Sequence, residues 1–279
     1  MYLQIGTGKI YYELSRKKMS KKIFPKLFVI PGGPGLDHST YKLYSKSLED
    51  FSQVIYHDPR GCGKSKRFDL KNYQIENNAD DLNQLRKHLG YRKISLLGTS
   101  YGGITALCYA LKYPETINKL ILVATTPSFR FIKLAKLNLK QRGTREQKSI
   151  AKHLWAGSFT SDRHASDFSR KMRSLYSVKA DSLNIPYRKE KIFSHKVLNK
   201  GFATFLQSFN FEPYLHKIHC QTLILAGKND WMTPPQLSKI MAKKIPHAKL
   251  TIFNQCGHSV AIDKQKEYIE LIRNFLIEK

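Results

Sequence analysis

The chain has 279 residues, which suits one large α/β domain or two small ones and is ample for a sizeable core. Hydrophobic residues make up 41% and charged residues 25%, values of a soluble globular protein, and no apolar run of about 18 residues exists to form a transmembrane helix. The net charge of +27 is large, yet no compact basic block, RNP1 pattern or C₂H₂ pattern accompanies it, so a solvated lysine-rich surface is expected rather than specific nucleic-acid binding.

Cys62, Cys108, Cys220 and Cys256 are far apart and form no CxxC pair, so neither a disulfide framework nor a zinc knuckle is expected. Free thiols fit a reducing compartment. The opening MYLQIGTGKIYYELSRKK lacks a continuous apolar segment and a small-residue cleavage site, and a cytosolic location is expected.

In chain order, YLQIGTGKIYYELS alternates around a glycine turn and predicts a hairpin. KLFVI (Lys26–Ile30) and QVIYHD (Gln53–Asp58) are short apolar runs, with helical spacing from Thr40 to Asp50 between them. Asn78–Gly90 places Leu82, Leu85 and Leu89 on one stripe, with acidic residues early and basic residues late, as a helix dipole favours. KISLLG (Lys93–Gly98), KLILVATT (Lys119–Thr126), QTLILAG (Gln221–Gly227) and KLTIF (Lys249–Phe253) predict further strands. All but KLILVATT lead directly into a helical segment. Continuously apolar strands alternating with helices predict a mostly parallel sheet covered on both faces. From about 128 to 216 the rhythm breaks into helix-like stretches with 18 Lys and Arg against 6 Asp and Glu. This predicts a basic helical cap at 128–216, inserted into a core of residues 1–127 and 217–279.

Gly98-Thr99-Ser100-Tyr101-Gly102 matches G-x-S-x-G between a strand and a helix, the context of a nucleophile elbow, and makes Ser100 the candidate nucleophile. His258, on the loop after KLTIF, is the candidate base, and Asp230 in LILAGKND the candidate acid that orients it. His57 also follows a strand but precedes a PRG turn, and Asp263 reads as a cap of the last helix. FVIPGGPG (Phe28–Gly35) ends a strand in two prolines and three glycines, more than a plain turn requires. It predicts a loop that approaches substrate closely. Gly33 N–H and Tyr101 N–H would then form an oxyanion hole, with Gly32, Pro34 and Gly35 completing the loop.

RGCGKS lacks the first glycine of a P-loop, which is Asp58 here, so nucleotide binding is not expected. No HExxH or acidic metal cluster occurs, His216 and His219 read as surface residues, and no cofactor is expected.

These motifs resemble the α/β-hydrolase fold and, within it, the proline iminopeptidase (prolyl aminopeptidase) group, over roughly residues 1–127 and 217–279. The family's HGGPG, DQRGxGxS and GxSxGG correspond to PGGPG at 31–35, DPRGCGKS at 58–65 and GTSYGG at 98–103; its GxxD and GH elements correspond to Gly227–Asp230 and Gly257–His258. The resemblance implies a triad of Ser100, Asp230 and His258. Pro31 stands where the family has its leading histidine. Relatives hold the substrate's free amine with cap glutamates and, in some, with a glutamate after the triad acid, a position occupied here by Trp231. The remaining cap acids are Glu146, Asp162, Asp167, Asp181, Glu190 and Glu212. The expected function is a serine hydrolase acting on a small-molecule or short-peptide substrate, either an N-terminal prolyl peptide or a carboxylic ester with a small neutral or anionic acyl group. A basic, non-catalytic binding protein on the same fold is the alternative of another class.

Overall fold

The computed structural model describes residues 1–15, 24–66, 68–179 and 192–278. An opening hairpin, β1 (Tyr2–Ile5) and β2 (Gly8–Leu14), leads to β3 (Lys26–Ile30), α1 (Ser39–Ser45), β4 (Gln53–His57), α2 (Ile75–His88), β5 (Ile94–Thr99), α3 (Tyr101–Lys112) and β6 (Ile117–Val123). Among the described residues five α-helices follow: α4 (Phe131–Arg142), α5 (Arg145–Ala156), α6 (Asp162–Lys171), α7 (Arg173–Tyr176) and α8 (His195–Ala203). The sheet resumes with β7 (Gln221–Gly227), then α9 (Pro235–Lys244), β8 (Ala248–Phe253), α10 (Val260–Asp263) and α11 (Gln265–Ile277).

The strands form one eight-stranded sheet in the order β1-β2-β4-β3-β5-β6-β7-β8. The pairings of β2 with β1 and β4 are antiparallel, and the pairings from β4 to β8 are parallel. The apolar runs of the strands follow from this arrangement. In β3, Phe28 and Ile30 join one core with α2 and α3, while Leu27 and Val29 join the opposite core with Tyr268 and Ile272 of α11. β6 divides in the same way, with Leu120 and Leu122 on one side and Ile121 and Val123 on the other. A strand buried on both faces favours apolar residues at most positions.

The helices between β6 and β7 pack over one end of this frame. Phe131, Leu154, Phe168 and Phe202 extend the first core rather than forming a separate one. Among the described residues no helix is long and apolar enough to cross a membrane. His216 and His219 lie on the surface.

The DPRGCGKS stretch is a turn fixed by polar contacts. Asp58 accepts hydrogen bonds from His38 N and Nδ1 (2.9 and 2.7 Å) and from Lys64 N (2.8 Å). Arg60 reaches α2 through a two-pronged contact with Asp81, at 2.8 Å from Nε and 2.6 Å from Nη2. Both side chains are buried, so losing either partner strands a charge. Arg60→Ala is therefore expected to destabilise the fold by about 3–5 kcal/mol, read by urea unfolding. A loss under about 1 kcal/mol would show that water reaches Asp81.

Candidate active site

Ser100 sits at the sharp turn between β5 and α3 with φ 56° and ψ −121°, outside the conformations an L-residue adopts without strain. Ser100 N donates to Val123 O (2.9 Å), and Thr125 Oγ1 donates to Ser100 O (2.6 Å), so β6 and its following loop hold the turn. A Cβ at Gly102 would collide with the carbonyl oxygens of Ile30 and Pro31. The elbow therefore sits directly against the end of β3, and only glycine fits there.

The PGGPG loop closes the same corner. A Cβ at Gly32 would lie 3.2 Å from Ser100 Cβ and 2.5 Å from Tyr41 Oη, closer than the loop allows. Gly33 adopts φ +124°, and a Cβ there would meet Gly35 N at 2.8 Å. Gly33, Pro34, Ser100, Tyr101 and His258 all line one cavity of about 270 Å³. Burial holds the Tyr41 hydroxyl, also on its wall, up at about 12.

Asp230 is buried after β7 and receives four hydrogen bonds among the described residues. Met232 N and Thr233 N donate to Oδ1 (2.8 and 2.9 Å), and Thr233 Oγ1 and His258 Nδ1 to Oδ2 (both 2.8 Å). Burial alone would raise its pKa; the His258 ring and the Thr233 donors outweigh burial and hold the carboxyl below its ordinary range. An ionised carboxylate only accepts, so Nδ1 of His258 carries the proton and Nε2 keeps the lone pair. Tyr176 stacks edge-on against the imidazole, with ring centroids 5.3 Å apart. The structure thus brings Asp230 and His258 into contact and sets His258 and Ser100 on the lining of one cavity.

Two further candidates lie elsewhere. His57 ends β4 away from the cavity and is buried, and Asp263 is buried beside Gly257. Asp263 does not cap the last helix as expected; its carboxylate accepts from backbone and hydroxyl donors around the His258 loop. Among the described cap acids, Glu146 pairs with Lys171 (2.8 Å), Asp162 with His195 (2.7 Å), Asp167 with Arg170 (3.4 Å) and Glu212 with Arg130 (3.4 Å). None of these lines the cavity. Asp181 and Glu190 lie outside the described residues. Among the described residues no group of three His, Cys, Asp or Glu side chains gathers as a metal site.

A model of the alpha/beta hydrolase fold matches residues 25–265. The proline iminopeptidase PfmaB of Pestalotiopsis fici is 31% identical over 266 residues, 90% of this chain and 92% of that one. The proline iminopeptidase of Clostridium botulinum is 31% identical over 289 aligned positions, 99% of this chain and 97% of that one. The chain belongs to the α/β-hydrolase fold family, in its proline iminopeptidase branch. It is a hydrolase, and the binding-protein alternative loses its support. A solved α/β-fold hydrolase of Bacillus anthracis superposes with a TM-score of 0.81 at 20% identity, covering 99% of this chain and 98% of that one.

Sequence reasoning missed two neighbours of this hydrolase's candidate base. Thr233 was recoverable, because a hydroxyl three residues past Asp230 in NDWMT is a local side-chain turn signal. Tyr176 was not, since it reaches His258 from the helices between β6 and β7.

Two outcomes follow from this geometry. Gly102→Ala is expected to cost about 1–3 kcal/mol or more in thermal unfolding, because the obstacle is backbone and cannot rotate away; an unchanged Tm would mean that β3 and the elbow separate easily. His57 gives a pH dependence. Burial pushes its imidazole down to about 4. The unfolded chain takes up this proton near pH 6.5, so the stability His57 confers is complete above that pH and falls as pH drops toward 4. The loss is about 3 kcal/mol across that window. His57→Gln should flatten the Tm curve there, and parallel curves would assign the acid loss to other groups.

Proposed function

We propose that the protein is a serine hydrolase working through an acyl-enzyme. Ser100 Oγ attacks the substrate carbonyl while His258 Nε2 takes its proton and then delivers it to the leaving group. Asp230 keeps the imidazole in its tautomer and stabilises the imidazolium. The N–H groups of Gly33 and Tyr101 receive the developing oxyanion, with Gly32, Pro34 and Gly35 shaping the loop. Water repeats the attack and releases the acid. The observation that carries this reading is the 2.8 Å hydrogen bond from His258 Nδ1 to buried Asp230, with His258 lining the same cavity as Ser100.

Residues 128–216 act as a cap over a core of 1–127 and 217–279 in this reading. The first substrate class is a short peptide with an N-terminal prolyl group, as the relatives' name indicates. Phe131, Phe168, Leu198 and Phe202 give the cavity apolar walls that suit a pyrrolidine ring. A second class, esters with a small neutral or anionic acyl group, draws support from one feature. The described residues lining the cavity include no Asp or Glu, so a protonated amine there meets no carboxylate on the cavity wall. Free cysteines at all four positions support a cytosolic setting.

The test is paired turnover of proline p-nitroanilide and p-nitrophenyl butyrate, each beside Ser100→Ala and Asp230→Asn. Ser100→Ala is expected to abolish turnover by a factor on the order of 10⁴ or more, and Asp230→Asn by about 10⁴. Release from the prolyl amide supports the peptidase class, and ester turnover alone supports the second. Turnover that survives Ser100→Ala overturns the mechanism.

A further inference from the structure

Asp263 is fully buried and belongs to none of the groups lining the cavity. Its carboxylate joins two distant parts of the chain. Oδ2 accepts from Gly257 N (2.7 Å), the residue before His258, and from Val178 N (3.2 Å). Oδ1 accepts from Ser177 Oγ (2.5 Å) and Lys179 N (3.3 Å). The other neighbour of His258 is held by the same segment, because Ser259 N donates to Tyr176 O (2.8 Å). Tyr176 also packs its ring on the imidazole, and a Cβ at Gly257 would lie 2.6 Å from Tyr176 O. His258 is thus held on both flanks by Tyr176–Lys179, with the Tyr176 ring edge-on to the imidazole, and Asp263 fastens that segment to the His258 loop.

We propose that Asp263 is a positioning residue for His258, locking the segment 176–179 against the loop so that the imidazole stays aligned between Asp230 and Ser100; this rests on reading His258 as the base. A carboxylate suits the task because it accepts several hydrogen bonds at once and donates none, so it can collect donors from two chain segments that have no acceptor in common. An amide in its place keeps the shape but turns one oxygen into a donor facing N–H groups.

The test uses Asp263→Asn, with Ser177→Ala as a milder variant that leaves the carboxylate in place. Two quantities are read in the full chain: the rate of labelling by a fluorophosphonate, and the low-field NMR resonance of the proton between His258 Nδ1 and Asp230. Ser100-dependent labelling of the parent protein secures the underlying reading. The expected result is labelling slowed by about 10- to 100-fold in Asp263→Asn and less in Ser177→Ala, with the low-field resonance weakened or moved upfield in both. Variants that label at the parent rate and keep the resonance, with only a lower Tm, overturn the proposal and leave the base assignment standing. If Asp263→Asn does not fold, Ser177→Ala decides by the same resonance. Labelling that persists in Ser100→Ala overturns the reading and the proposal together.

Discussion

Everything in the site depends on the contact between two stretches of backbone. The elbow at Ser100 and the end of β3 approach so closely that Gly102 has no room for a Cβ, and a Cβ at Gly32 would press on Thr99 O and Ser100 Cβ as well as on the Tyr41 hydroxyl. That approach stations Ser100 beside the PGGPG loop, on the cavity's lining. It also explains the steric side of the strained φ at Ser100: the turn must pass beneath a neighbouring strand without spreading it. Parallel pairing of β3 with β5 delivers both turns to the same edge of the sheet, because parallel strands end on the same side.

The sheet and the approach were legible because each leaves a local trace in the sequence. Lys26–Ile30 and Gln221–Gly227 are strands at the bounds their apolar runs predict, since a strand covered on both faces needs apolar residues throughout. The glycines of PGGPG and GTSYGG signalled close packing before either partner was known. What stayed hidden depends on distant contacts. Asp263 precedes a helix and looks like its cap, yet its partners are Gly257 and the segment after α7, and nothing in IDKQ indicates those donors. The cap acids were equally illegible, because composition gives their number but not that Glu146, Asp162, Asp167 and Glu212 each turn to a basic neighbour.

In the helical segment, Glu146, Asp167 and Glu212 pair with Lys171, Arg170 and Arg130, and Asp162 with His195, and none of these acids lines the cavity, whose walls carry many aromatic and aliphatic side chains. In such walls a charge is poorly solvated, so recognition of an amine would require a carboxylate close by. Trp231, fully buried where some relatives carry a glutamate, removes one such group and packs its ring against Trp155 and Tyr176 instead. Selectivity for a charged substrate therefore depends on which ionised groups reach the cavity, while shape selectivity depends on the aromatic packing.

Trp231 also links the two sides of the candidate base. It follows Asp230 directly, and its ring meets Tyr176, which meets His258. The acid's own loop and the segment strapped to the His258 loop are thus packed against each other through one aromatic contact. A base held only by its carboxylate could still swing about that hydrogen bond. The edge-on contact with Tyr176, and hydrogen bonds to the backbone N–H groups of both flanking residues, restrict that freedom. Orientation of His258 is in this way a property of the helical segment as much as of the sheet, so in the proposed mechanism substitutions in the segment would alter proton transfer without touching Ser100, His258 or Asp230.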